Sequence, residues 1–303
     1  MKMVDWMNFK EEQEKRMKQV EKIIQKYLPE ETGFQKTVLA AMNYSVLAGG
    51  KRLRPLFMKE TYEMFGGSGK EIEPFLAAIE MVHTYSLVHD DLPAMDNDEY
   101  RRGRKTTHVM YGEAMAILAG DGLLNLAFET AAEAFALGGD PARVGKALSL
   151  FAKKAGVYGM IGGQTADIEA ENMGGKVTEE LLLFIHEHKT AALIQSAMMT
   201  GAILAGASDA DVEKIEKIGY DIGIAFQIQD DILDVTGNEQ MLGKPIGSDE
   251  KNNKVTYVTL KGLEQAQADQ KALSEEAVGL LASFEKRNPF LEAMVEALIT
   301  RNK

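Results

Sequence analysis

The chain of 303 residues contains no cysteine, so it has no disulfide framework, no thiolate metal site and no cysteine nucleophile. That absence fits the reducing cytoplasm, which is where we expect the protein. Basic residues are outnumbered by acidic ones. The chain has 34 Lys and Arg and 46 Asp and Glu, which gives a net charge of −12. Proteins that bind nucleic-acid backbones are normally basic, so nucleic acid is not an expected partner.

Long apolar runs are missing as well. The N-terminal segment has no uninterrupted apolar stretch, and we do not expect it to be a secretory signal. The best candidate for a membrane span is the uncharged segment 190–208, which is short and has Gln195, Ser196 and Thr200 near its middle. We predict that it is a buried core helix, and we predict no membrane span.

Convincing alternating strands are absent, and proline occurs only 7 times. Glycine pairs separate long stretches rich in Ala, Leu, Met, Glu and Lys, which are strong helix formers. The segment 254–260 alternates like a strand, but one short strand cannot form a sheet, so we interpret it as an extended loop or irregular helix. No linker divides the chain. The sequence therefore predicts one all-α domain over residues 1–303.

Two aspartate clusters lie beside apolar helical segments. The segment 75–88 is apolar almost all round, which indicates a helix inside a bundle, and HDDLPAMDND follows it directly. There Pro93 disfavours helix at the residue before it, so the chain must loop before Asp96 returns. The second cluster lies in FQIQDDILD, where Asp230 and Asp234 share one helix face with Gln227.

Carboxylates in apolar surroundings are costly without cations. Ligand sets made only of oxygen suit hard ions, and Mg²⁺ usually takes one or two carboxylates together with phosphate oxygens and water. Two facing clusters would hold several Mg²⁺ ions around one diphosphate. The alternative for each cluster is a solvated acidic helix end, whereas a calcium loop is disfavoured because alternating ligands and a central glycine are missing.

Two basic runs could supply further charge for a diphosphate. GGKRLRP holds Lys51, Arg52 and Arg54 after a glycine pair that lets the backbone turn around an anion. RRGR follows the first aspartate cluster and adds three arginines, whose planar forks contact two phosphate oxygens at once. Either run alone would more often be a solvated surface patch, but basic runs are sparse elsewhere in the chain.

The motifs occur in the order GGKRLRP, HDDLPAMD with RRG, HKT, FQIQDDILD and GKPIGSD, over about residues 49–254. In this the chain resembles the trans-isoprenyl diphosphate synthases, the polyprenyl synthetase family, and its first aspartate motif resembles that of bacterial farnesyl diphosphate synthases. The resemblance implies a large helical bundle with a central active-site cavity, several Mg²⁺ ions and a homodimer. It also implies isopentenyl diphosphate and an allylic diphosphate as substrates.

The resemblance further implies roles for the residues at matching positions. Isopentenyl diphosphate would be bound by Lys51, Arg54, His83 and Arg102. The allylic diphosphate would be held by Arg101, Lys189, Gln227, Lys244 and Lys254. The metal ligands would be Asp90, Asp96 and Asp230, supported by Asp91, Asp231 and Asp234. The catalytic group would be Arg101, Lys189, Thr190 and Gln227, and Thr190 would help to stabilise the developing carbocation.

Product length would depend on Tyr85, five residues and about 7 Å along the helix before Asp90. In the family a bulky aromatic at this place stops elongation, which implies a farnesyl product with Ser86 leaving room for the chain. The alternative is that Tyr85 is an ordinary core residue. His83 has a similar alternative, because a histidine on an apolar helix is usually a core residue with a satisfied ring.

The implied reaction is the Mg²⁺-dependent head-to-tail condensation of isopentenyl diphosphate with dimethylallyl or geranyl diphosphate to farnesyl diphosphate. A geranylgeranyl diphosphate synthase is the nearest alternative and differs mainly in tunnel depth. A class I terpene cyclase usually mixes Asn, Ser or Thr, and Glu in its second metal motif, where this chain has three aspartates. A non-catalytic partner subunit of a prenyl synthase would be expected to have lost ligands that this chain retains.

Overall fold

The computed structural model describes residues 6–173, 176–237 and 255–299. Their helices are α1 Trp6–Lys26, α2 Lys36–Val46, α3 Leu53–Met64, α4 Ile72–Asp90, α5 Thr107–Tyr111, α6 Glu113–Ala132, α7 Pro141–Ala155, α8 Met160–Glu171, α9 Glu179–Ile185, α10 Ala192–Ala205, α11 Asp209–Thr236, α12 Tyr257–Lys261, α13 Leu263–Ala282 and α14 Pro289–Ile299. A 3₁₀ turn, Glu133–Leu137, follows α6, and a π-helical turn, His186–Ala191, joins α9 to α10. The predicted all-α class is confirmed.

Two helices occupy the centre of the bundle. Every residue of α10 from Ala192 to Leu204 is buried, and the helix packs against α3, α7 and α11. The predicted buried core helix is thus confirmed, and none of the helices in the described part of the chain is long and apolar enough to cross a membrane. α4 is buried without interruption from Phe75 to Val82 and packs mainly against α6. Its last turn therefore carries the first aspartates out of an apolar interior.

α4 ends at Asp90, as Pro93 predicts, and a tight turn follows. In this turn the Asp96 N–H donates a hydrogen bond of 2.8 Å to the carbonyl oxygen of Asp90. Asn97 closes the turn in the left-handed conformation, with φ of 53°. The loop predicted for this motif is confirmed, and it brings the backbone of Asp96 back to Asp90.

The RRGR run forms a small antiparallel hairpin that the sequence did not predict. Strand β1, Tyr100–Arg101, pairs with β2, Arg104–Lys105. The loop residues Arg102 and Gly103 have φ of 53° and 73°. Positive φ at both positions is the geometry that matches the twist of a two-residue hairpin. Strands of two residues are too short for an alternating pattern to appear in the sequence.

Residues 257–261 form the short helix α12. The Thr256 side chain accepts a hydrogen bond from the backbone N–H of Thr259, and the Thr259 hydroxyl accepts one from the N–H of Thr256. This reciprocal cap explains why a segment with strand-like alternation is helical here. The interpretation as irregular helix therefore holds for these residues. Lys244 and Lys254, both predicted to hold the allylic diphosphate, lie outside the described residues.

Candidate active site

A cavity of about 560 Å³ lies between the end of α4, the start of α8 and the π-helical turn. Its wall includes these residues that the sequence singled out: Arg54, His83, Tyr85, Ser86, Asp90, Lys189 and Thr190. Much of the remaining wall is apolar, with Leu92, Met95, Leu124 and Met160 among its residues. A single space therefore combines charged groups with an apolar lining.

Asp90 is the last residue of α4, where the helix dipole places partial negative charge and a carboxylate is unfavourable. Burial raises the pKa of Asp90 to about 6, and nearby Asp96 adds to the rise, while Lys189 and Arg101 oppose it. The Gln164 side chain, on α8, donates a hydrogen bond of 2.8 Å to Asp90 Oδ1. Asp90 is thus a carboxyl group that additional positive charge would stabilise.

Asp91 has a different environment from Asp90. Arg101 contacts its Oδ1 through Nε at 2.7 Å and Nη2 at 2.6 Å, and the pair lines a separate cavity of about 40 Å³. Burial raises the pKa of Asp91, and the hydrogen bond from Arg101 counteracts the rise. Asp91 therefore fixes Arg101 beside the first aspartate motif, which suits a supporting role.

The hairpin and the glycine pair come together at the predicted isopentenyl pocket. Arg102, at the hairpin tip, donates from Nη1 to the carbonyl oxygen of Gly49. Gly50 has a φ of 128°, which residues with a side chain rarely adopt, and a Cβ there would lie 2.5 Å from the Arg102 guanidinium, so this position favours glycine. Lys51 follows with an exposed side chain. The two basic runs, separated by about fifty residues in sequence, thus form one cationic region.

His83 adds a neutral group to this region. Burial holds the pKa of His83 well below its ordinary value, and the charges of Arg54, Arg102, Arg101 and Arg52 lower it further. A neutral imidazole can donate one hydrogen bond without a second positive charge. The structure therefore brings the predicted isopentenyl-binding residues to one region.

The π-helical turn presents Lys189 and Thr190 to the cavity. Lys189 Nζ donates a hydrogen bond of 2.5 Å to Asp167 Oδ2, and the Thr190 hydroxyl donates one of 3.1 Å to Gln227 Oε1. Asp167 and Gln164 both lie on α8, and the sequence analysis missed both. Isolated polar residues on a helix carry no signal, and their partners are 22 and 74 residues away.

The second aspartate cluster lies at the other side of the π-helical turn, on α11. Asp231 Oδ2 accepts a hydrogen bond of 2.7 Å from the backbone N–H of Tyr257, the first residue of α12. Asp234 is buried, and Asp230 is half-buried. Asp231 also lines a cavity of about 50 Å³ with Gln227, and Lys189 and Thr190 line both this cavity and the large one.

The six aspartates fit Mg²⁺ in their chemistry, because they offer oxygen donors alone. Within the described ranges, no three His, Asp or Glu side chains form a ready-made metal cage. Mg²⁺ commonly takes one or two carboxylates and completes its shell with substrate phosphates and water, so a complete protein cage is not required. The raised pKa of Asp90 marks one carboxyl group that such a cation would stabilise.

Known proteins are similar to this chain over most of its length. The family model described as polyprenyl synthetase matches residues 35–297. Farnesyl diphosphate synthase of Geobacillus stearothermophilus is 47% identical over 228 residues, 74% of each chain. Geranylgeranyl diphosphate synthase of Cyanophora paradoxa is 41% identical over 284 residues, 93% of each chain. A crystal structure of a geranyltransferase from Helicobacter pylori, complexed with magnesium and isoprenyl diphosphate, superposes with a TM-score of 0.81, 31% identity and 95% coverage of each chain.

Proposed function

Because the chain belongs to the polyprenyl synthetase family, we propose that it condenses isopentenyl diphosphate with dimethylallyl or geranyl diphosphate, head to tail, to give farnesyl diphosphate. One observation carries the proposal. A single cavity is lined by Arg54 and His83, which belong to the predicted isopentenyl-binding set, and also by Asp90, Lys189 and Thr190, which belong to the predicted metal-binding, allylic and catalytic sets. A hydrolase or cyclase acts on one diphosphate and does not need the isopentenyl-binding set.

The residues on the allylic side suit ionisation of a carbon–oxygen bond. Bound Mg²⁺, held by the aspartates of the two clusters, would neutralise the charge that develops on the leaving diphosphate. Lys189, fixed by Asp167, and Arg101, fixed by Asp91, add preorganised positive charge for the same group. The hydroxyl oxygen of Thr190, oriented by its bond to Gln227, offers a lone pair to the allylic cation.

The residues on the isopentenyl side hold the nucleophile. The diphosphate of isopentenyl diphosphate is bound by Lys51, Arg54, His83 and Arg102. The double bond of the same substrate then attacks the allylic cation. A new carbon–carbon bond forms, and a proton is lost to the departed diphosphate. Positioning two substrates in one cavity supplies much of the rate, because it removes the entropic cost of their encounter. No side-chain nucleophile is needed.

Tyr85 supports a farnesyl product. It lines the cavity, is 6% exposed and packs its ring against His89 at 5.8 Å between centroids. A bulky ring fixed in the wall one turn below Asp90 limits the depth available to a growing chain. Geranylgeranyl diphosphate is the second candidate product, because synthases of both products are among the similar proteins. We further propose a cytoplasmic homodimer.

The proposal is tested by incubating the purified protein with Mg²⁺, isopentenyl diphosphate and geranyl diphosphate, and by identifying the products by mass spectrometry. Farnesyl diphosphate is expected as the main product, with none formed in excess EDTA. A predominant geranylgeranyl product would replace the proposed chain length and leave the reaction intact. Absence of any lengthened diphosphate would refute the proposal and favour a non-catalytic partner subunit.

A further inference from the structure

Arg52 lies in sequence between two residues of the proposed isopentenyl pocket, Lys51 and Arg54, but its own side chain is buried in the core. It precedes α3 in the left-handed conformation, with φ of 48° and ψ of 36°. Residues with a Cβ rarely adopt this conformation, so surrounding contacts must hold it. The backbone that presents Lys51 and Arg54 therefore depends on what the Arg52 side chain contacts.

The Arg52 guanidinium joins three helices. Nη1 donates a hydrogen bond of 2.6 Å to Glu80 Oε1 on α4, and Nη2 donates one of 2.8 Å to the carbonyl oxygen of Val46 at the end of α2. Nε lies 3.6 Å from Glu21 Oε1 on α1. The side chains of Arg52 and Glu80 are each 3% exposed. Such a buried ion pair adds little net stability compared with apolar packing, so a role in fixing geometry is the better explanation.

Glu80 also acts on the arginines of the pocket itself. It precedes His83 by one turn on α4. Burial lowers the pKa of Arg54 to about 10, and the charge of Glu80 opposes this. Burial also lowers the pKa of Arg102, and Glu80 again opposes the change. Glu80 is therefore a negative charge close to the cationic region, and it does not line the cavity.

We propose that the buried Arg52–Glu80 pair is the positioning element of the isopentenyl diphosphate pocket. Arg52 fixes the segment of Lys51 and Arg54 to α4, and the pair satisfies Glu80, so that Arg54 and Arg102 stay directed towards substrate. Neither member of the pair touches the substrate. The inference rests on the proposed function for the identity of this diphosphate.

The variant Arg52→Gln leaves the Glu80 charge buried without its cation, and Glu80 then attracts Arg54 or Arg102 away from the pocket. We expect affinity for isopentenyl diphosphate, measured by titration calorimetry with Mg²⁺ present, to fall about tenfold. Affinity for geranyl diphosphate should change by less than about twofold. The double variant Arg52→Gln/Glu80→Gln removes the stranded charge and should recover most of the loss.

A matched control comes from a second buried carboxylate. Glu60 is fully buried and is bound by Arg16 Nη1 at 2.7 Å and 2.6 Å, and neither residue lines the cavity. Arg16→Gln should lower the melting temperature without weakening isopentenyl diphosphate binding. Arg52→Lys, which keeps the charge but cannot bond to Glu80 and Val46 at once, should show an intermediate loss of about threefold and serves if Arg52→Gln does not fold.

Selective loss of isopentenyl diphosphate affinity, recovered in the double variant, supports the inference. Unchanged affinity in Arg52→Gln and Arg52→Lys overturns it. Equal losses for both diphosphates, or an equal loss in Arg16→Gln, also overturn it, because they indicate general destabilisation. If the wild-type protein binds isopentenyl diphosphate but forms no condensed product, the proposed function fails while the inference about the pocket can still hold.

Discussion

Asp90, a proposed metal ligand, lowers the free energy of unfolding of the metal-free protein when its carboxyl group is ionised. Its pKa rises from an ordinary value of 3.8 to about 6 because it is buried near other carboxyl groups. The folded protein therefore keeps a proton on Asp90 at pH values where the unfolded chain has lost it. Stability from this group is greatest below about pH 4, declines as the pH rises to about 6, and is constant above that.

We predict that Asp90→Asn is more stable than the wild type at pH 8 in EDTA, by about 1 kcal/mol in the free energy of unfolding. Asparagine retains the oxygen that accepts the hydrogen bond from Gln164 but removes the charge. Catalysis should fall by at least about a hundredfold, because a charge-stabilising group is lost. Urea denaturation at pH 8 and at pH 4 measures the first effect, and the difference between the proteins should vanish at pH 4.

The exposed carboxylate of the same motif provides the comparison. Asp96→Asn removes a charge from water, so its free energy of unfolding in EDTA should match the wild type within about 0.5 kcal/mol. A destabilised Asp90→Asn at pH 8 would contradict the view that Asp90 is an uncompensated carboxylate.

Tyr85 sets a second residue-scale prediction, on product length. Tyr85→Ala removes the ring from the cavity wall and should shift the main product from farnesyl to longer diphosphates, read by mass spectrometry. The matched control is Tyr62→Ala, because Tyr62 is 3% exposed and lies on α3 outside the cavity wall. Both variants are expected to lose stability, but Tyr62→Ala should retain the wild-type product. An unchanged product profile for Tyr85→Ala would show that other residues determine the chain length of the product.

At the scale of elements, the π-helical turn depends on close helix packing. A Cβ at Gly163 on α8 would lie 2.1 Å from the backbone nitrogen of Lys189. On the other side, a Cβ at Gly223 on α11 would lie 2.2 Å from the Cβ of Ala191. Two glycines therefore let α8 and α11 approach the turn that carries Lys189 and Thr190. π-helical turns of this kind are frequent at functional sites.

Gly163→Ala should push the turn away from α8, lower the free energy of unfolding by about 1–3 kcal/mol and reduce turnover. The control is Gly145→Ala on α7, where an added Cβ meets nothing within 4 Å. It should stabilise the protein by about 0.5–1 kcal/mol, because alanine favours helix more than glycine does. Chemical denaturation and steady-state kinetics check both variants. Normal turnover in a folded Gly163→Ala protein would show that activity does not depend on the position of the π-helical turn.

The sequence predicts some elements far better than others. The apolar runs of α4 and α10 are local patterns, and both helices are buried as expected. The end of α4 and the loop after it follow from Pro93. The strands of the hairpin at Arg102 are too short to show an alternating pattern, and the π-helical turn depends on packing against α8 and α11, which are distant in sequence, so no local pattern indicates either element. The same holds for the candidate site. The sequence motifs indicate the aspartates and the basic residues, whereas Gln164 and Asp167 contact the site through hydrogen bonds to residues distant in sequence, which no local pattern indicates.

At the scale of the whole molecule, an acidic protein with a net charge of −12 places Arg54 and Lys189 in the wall of one cavity and Arg101 and Arg102 in the wall of another. The acidic surface does not attract anionic substrates, so their binding must come from this local arrangement. Arg54 and His83 in the same cavity as Asp90 and Lys189 are the basis for proposing condensation of two diphosphates. That claim, rather than product length or oligomeric state, decides whether the account is correct.

The most direct test uses two labels. The protein is incubated with Mg²⁺, tritium-labelled geranyl diphosphate and carbon-14-labelled isopentenyl diphosphate, and the products are separated by chain length. The account predicts a lengthened diphosphate that carries both labels, because condensation joins the two substrates, and the two labels are equimolar in the proposed farnesyl product. Tritium recovered solely in an alcohol or a cyclic hydrocarbon, with carbon-14 left in unreacted isopentenyl diphosphate, would contradict it.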